Sequence, residues 1–175
     1  FLTLGTGGIP VTVSRLTCKS KAENDPRGES GAFTSGVLLS LLLTLPVLLV
    51  FLPFGQHFTF LFSDERAVPV FKILLIGLVF SSLYAVVRGS FWGNKKFLTS
   101  SLIEIAEETV MVIAGVLLLR HVDGSLEGAK LAAWAVVVSY LFSFAASALC
   151  FLFGGGRFSS PKKTFRPLFN ATLPI

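Results

Sequence analysis

Three carboxylates in an apolar stretch are the first residues that call for a chemical role: Glu104, Glu107 and Glu108 in SSLIEIAEETVMVIAG. Spacings of three and four place them along one side of a helix, and Met111 and Gly115 continue that stripe. A carboxylate held in lipid costs on the order of 2.5 kcal/mol or more, so this face has to look into a bundle interior or an aqueous cavity. Glu104 is nearest the interface, where water serves it, and Glu108 is nearest mid-membrane. Glu107 and Glu108 point about 100° apart, so one can aim straight at a cavity while the other meets a neighbouring helix. Acidic side chains in such a place suit binding of a polar or charged ligand more than covalent chemistry.

Other candidates are fewer. Lys72 lies about a turn inside its apolar block and can snorkel to water. In LGTGGIPVTVSRL, Gly7, Gly8 and Pro10 interrupt an apolar run that stops at Ser14 and Arg15. Pro10 removes a backbone donor, and the glycines lower the cost of a bend, so the stretch reads either as a flexing point at mid-depth or as a passive kink packed on a neighbour. Arg15 and Arg88 each end an apolar block. A guanidinium there anchors topology, or grips phosphate oxygens in a two-pronged fashion.

The remaining motifs carry no chemistry. Cys18 and Cys150 match no metal spacing, and His57 and His121 have no second ligand nearby in sequence. GGGR at 154–157 lacks the lysine and hydroxyl of a phosphate loop and reads as a flexible turn, and NAT at 170–172 is a chance glycosylation match. No nucleophile stands beside a base. These residues predict no enzyme, no metal site and no cofactor.

The elements that must position the acidic face are membrane helices. Hydrophobic residues make up 53% of the 175 positions and charged ones only 14%, too much apolar surface for a soluble fold of this size to hide. Five apolar blocks are long enough to approach or cross about 30 Å of hydrocarbon, at residues 1 to about 16, then about 31–54, 68–87, 99–119 and 131–153. A sixth begins near 168. Hydrophobicity runs all round each block rather than alternating, which fits helices and excludes a membrane barrel. Eleven of the 15 basic residues fall in alternate loops, near Arg15 to Arg27, Arg88 to Lys96 and Arg157 to Arg166. The positive-inside rule makes those loops cytoplasmic. The net charge of +5 is therefore a topology signal and not a nucleic-acid footprint.

In order along the chain come a GGIP helix ending in Ser-Arg-Leu, a D-x-R-A turn at 64–67, an R-G-x-F-x-G turn at 88–93, and a helix carrying Glu107. Together they resemble the polysaccharide-flippase branch of the multidrug/oligosaccharidyl-lipid/polysaccharide exporter superfamily. Within it the resemblance is nearest to the stage V sporulation protein B group, which is similar to the lipid II flippases. In that group the helix usually continues from the Glu to an Arg about four residues on, where this chain has Met111.

The resemblance implies an all-α, polytopic transmembrane helix bundle that is an internal fragment covering most of one six-helix lobe of a two-lobe transporter. Residues 1–167 would be the partial N-terminal lobe, about five helices, and 168–175 the start of the next helix. The partners implied are a lipid-linked saccharide such as a cell-wall precursor, membrane lipids, and the missing second lobe, in a bacterial plasma membrane. Arg15, Arg88 and Glu107 would bind substrate, and Gly7, Gly8 and Pro10 would form a gating bend. A cation exporter of the same superfamily and a non-transporting membrane scaffold are the alternatives.

Overall fold

A computed structural model of the chain describes residues 8–54, 67–120 and 124–154. They form five helices: α1 (Ile9–Ala22), α2 (Pro26–Phe54), α3 (Ala67–Gly93), α4 (Phe97–Leu119) and α5 (Ser125–Phe153). In hydrocarbon a backbone has to satisfy its own polar groups, and among the described residues no strand occurs. Gly7, His57, the Asp64 to Arg66 part of the D-x-R-A turn, His121, the basic residues from Arg157 to Arg166, the NAT match and segment 168–175 lie outside the described residues.

Helices α2, α3 and α5 are each long and apolar enough to cross a membrane. The protein is a multi-pass membrane protein. Helix α4 is of similar character, but its three glutamates set it apart.

The helices run further than the apolar blocks that announce them. Helix α1 continues past Arg15 to Ala22, α2 begins at Pro26, and α3 continues through the whole R-G-x-F-x-G segment, which is helix and not a turn. An apolar block marks the lipid-facing part of a helix, whereas its end is set by backbone capping. At 29 residues α2 is about 43 Å long, well beyond the hydrocarbon thickness.

Both turns at the basic end stop their helices in the same way. Asn24 and Lys95 adopt positive φ, 51° and 58°. Asp25 N–H donates to the Ser20 carbonyl and Lys96 N–H to that of Phe91, each at 2.9 Å, the pattern of a Schellman motif. The two turns are tied together, since Lys21 Nζ donates to Asn94 Oδ1 at 3.1 Å and Cys18 Sγ to the Gly93 carbonyl at 3.3 Å.

Helix α3 is the centre of the bundle. It packs on α5, α1 and α2, while α4 leans on α5 and touches α3 lightly. The core joins Ile9 and Val13 of α1, Phe33 and Leu39 of α2, Tyr84, Val86, Val87 and Phe91 of α3, and Ile103 of α4. Small hydroxyl residues fill the tightest seams. Ser139, Ser143 and Ser147 are fully buried along one side of α5, and Ser40 of α2 donates to Ser82 of α3 at 2.9 Å. Such residues let helices approach where lipid offers no hydrophobic drive between them.

Candidate functional site

The site is built on the last two turns of α3. Gly89 and Gly93 are four residues apart on the side facing α1. A Cβ added at Gly89 would lie 2.6 Å from the Pro10 carbonyl oxygen, and one at Gly93 would lie 2.5 Å from Thr17 Cβ. Backbone therefore meets backbone along this seam, and only glycine fits. Pro10 sits in the first turn of α1, where its missing N–H removes no intrahelical bond. Gly8 precedes it in right-handed helical geometry, φ −91° and ψ −28°, and its carbonyl accepts from Thr12 N–H and Oγ1.

With the glycines turned to α1, the neighbouring positions Arg88 and Trp92 point elsewhere. The Arg88 guanidinium carbon lies 4.6 Å from the centre of the Trp92 ring, a cation–π contact between residues one turn apart. Arg88 Nε lies 2.7 Å from Glu104 Oε1 of α4, each side chain about a third exposed, at 35% and 36%. The charges touch, but the N–H is not aligned on the carboxylate oxygen as a hydrogen bond.

Beyond this pair the helices part. A cavity of about 790 Å³ opens between α1, α3, α4 and α5, lined by Pro10, Tyr84, Arg88, Trp92, Glu104, Glu107, Glu108 and Tyr140 among others. Ser143 Oγ of α5 lies 2.7 Å from Glu107 Oε2 and 3.1 Å from the Ser139 carbonyl. Its single proton serves the nearer acceptor, Glu107. Glu108 is exposed, and the Tyr84 hydroxyl is buried with no hydrogen-bond partner among the described residues. Chemically the cavity offers a cation over an aromatic face, three carboxylates and two phenols, a set for binding.

The structure brings together Arg88 and Glu107 of the expected binding residues, along with Pro10 of the expected bend. Arg15 is exposed and does not line the cavity, although it follows Val11, which does, by one turn on the same side of α1. Both Glu107 and Glu108 face the cavity, and Glu107 is the one that meets a neighbouring helix. Glu104, read from its depth as simply wet, is instead paired to Arg88. Gly115, at the end of the acidic stripe, meets no atom within 4 Å among the described residues. Trp92, Tyr84, Tyr140 and Ser143 were not anticipated. The four-residue spacings of Arg88 with Trp92 and of the α5 serines were the available signals.

The sequence matches a model of polysaccharide biosynthesis proteins over residues 1–175. The chain belongs to the polysaccharide biosynthesis protein family. Among curated protein sequences none matches this family member. Its fold is similar to that of an inward-facing multidrug resistance transporter of the MATE family within the MOP superfamily, with a TM-score of 0.79 at 16% identity, covering 98% of this chain and 40% of the transporter. A MATE protein in a bent conformation is matched equally, with a TM-score of 0.79 at 16% identity, covering 96% of this chain and 39% of the other. The chain thus has an all-helical fold similar to part of a MATE transporter and spans about two fifths of the length of the solved structures it matches.

Proposed function

We propose that the chain forms most of one lobe of a flippase that carries a lipid-linked saccharide across a bacterial plasma membrane by alternating access. The observation that carries this reading is Arg88, held over the Trp92 ring at the edge of a cavity of about 790 Å³. A guanidinium stays charged and grips phosphate oxygens with its fork, the feature by which a lipid-linked phosphate or pyrophosphate is recognised. The remaining lining suits a sugar, with aromatic rings for its apolar faces and carboxylates and hydroxyls for its hydroxyl groups. Family membership supports the same substrate class.

A second lobe would complete the cavity, and rocking of one lobe against the other would expose the site to each side in turn. In this scheme the basic end is cytoplasmic, Arg15 extends the cationic path one turn below Val11, and Gly7, Gly8 and Pro10 bend as the lobe moves. A cation exporter is the second reading, favoured by the three carboxylates Glu104, Glu107 and Glu108 in one cavity.

Transport of a fluorescent lipid-linked saccharide by the full-length protein in proteoliposomes tests the proposal. Arg88→Lys keeps the charge and loses the fork. A fall of tenfold or more in flipping at normal protein level supports phosphate recognition. Unchanged flipping, or export of an organic cation instead, refutes it.

A further inference from the structure

We infer that Glu104 is a built-in stand-in for the ligand's anion: it occupies Arg88 while the cavity is empty and gives the guanidinium up to a phosphate or pyrophosphate oxygen when ligand arrives. This rests on the reading of Arg88 as the phosphate-binding residue and adds a role for a second helix. Glu104 Oε1 approaches Arg88 Nε to 2.7 Å without an aligned hydrogen bond. Such a pair has the attraction of opposite charges but lacks the directed bonds that make arginine–carboxylate forks strong. A phosphate can present two oxygens to the guanidinium edge and so competes well for it. The touching atoms are themselves shielded, but both side chains lie on the cavity lining and are about a third exposed, so a ligand can reach the rest of the guanidinium without unfolding anything. Trp92 stays beneath Arg88 throughout and keeps the head in place during the exchange.

The exchange has a mechanical consequence. Helix α4 touches α3 lightly and rests on α5, so the Arg88 to Glu104 link is a principal tie across the α3–α4 seam. Ligand that takes Arg88 unhooks α4 from α3. The freed Glu104 then faces Glu107 and Glu108, one turn along the same helix, and like charges at that spacing repel. Occupancy of the cavity thereby loosens the helix that walls it.

Binding of inorganic pyrophosphate and of farnesyl pyrophosphate to the full-length protein in detergent, measured by calorimetry, tests this. Arg88→Gln should abolish binding. Glu104→Gln should tighten it about two- to fivefold, the factor to which the energy of an exposed ion pair converts. Binding that depends on Arg88 but is unchanged or weakened by Glu104→Gln overturns the inference and leaves the phosphate reading standing. Binding indifferent to Arg88, or no binding of either compound by the unaltered protein, overturns both. Inorganic pyrophosphate bound at Arg88 while farnesyl pyrophosphate is refused supports the exchange and overturns a lipid-linked substrate. Should Glu104→Gln not accumulate as folded protein, Glu104→Asp takes its place. Its carboxylate is one methylene shorter and grips Arg88 less well, so affinity at or below that of the unaltered protein overturns the proposal.

Discussion

Along one flank of α3 the chain closes on α1 until backbone touches backbone, and along the other it stands apart from α4 with a cavity between. The closed seam is made by Gly89 and Gly93 against Pro10, Ser14 and Thr17. The open seam is made by Arg88, Trp92 and Tyr84 against Glu104, Glu107 and Glu108. Both sets come from the same stretch of helix, which presents glycines on one face and large polar or aromatic side chains on the other. Small residues remove the gap between helices, and paired charges on long side chains hold one open. If the first seam serves stability and the second serves binding, as proposed, substitutions on the two sides should separate in their effects.

The largest effect is expected on the closed side. Gly89→Leu would place its first carbon 2.6 Å from the Pro10 carbonyl oxygen, a contact that backbone cannot relieve by a rotamer change. Separation of α1 from α3 should cost on the order of 3 kcal/mol and show as loss of monodisperse protein on size-exclusion chromatography. Normal yield with unchanged thermal unfolding would mean the seam is looser than described.

Next is Ser40→Ala, also on the dry side of α3. It removes the hydroxyl that donates to Ser82, while Ser82 keeps its own bond to the Val79 carbonyl at 2.9 Å. No buried group is orphaned, so the cost should be about 0.5–1.5 kcal/mol in thermal unfolding, with transport unchanged.

On the open side, Arg88→Gln should change stability by less than about 1 kcal/mol, since both side chains of its ion pair are about a third exposed and the pair lacks an aligned hydrogen bond. The same substitution should eliminate flipping. A large loss of stability would make Arg88 a structural strut and the contrast between the seams false.

How much of this was legible follows the distance over which residues act. The helical bundle was plain from apolar blocks of membrane length, and the acidic face from spacings within α4. The Arg88 to Glu104 pair joins two helices across the turn at Asn94 to Lys96, and nothing in the periodicity of either helix reports it. Depth alone gave Glu104 to water, because a membrane-depth argument treats each helix singly. The closed seam had a signal that went unused: two glycines four apart in Arg-Gly-Ser-Phe-Trp-Gly mark a close helix approach. Reading that segment as a turn hid it, since glycine and basic residues suit turns and helix contacts alike. The partner of that approach, Pro10, was open to the reading of a passive kink packed on a neighbour, but nothing in its own helix identifies α3 as that neighbour.

The smallest effect is expected at Gly115, and it sharpens the comparison most finely. It is a glycine inside a membrane helix, as Gly89 is, yet a Cβ there meets nothing within 4 Å among the described residues. Sterically the two positions are opposites. With no neighbour to collide with, Gly115→Ala should only lower the flexibility of the unfolded backbone and favour helix, by up to about 1 kcal/mol. Thermal unfolding of the full-length protein should therefore stay level or rise slightly, where Gly89→Leu falls steeply. A fall at Gly115 would show that another part of the protein packs on α4 there, so that α4 carries a closed seam of its own beyond the acidic stripe. The open side of α3 would then be bounded by a second tight contact, and the cavity would be a slot between two fixed walls instead of a gap beside a loosely held helix.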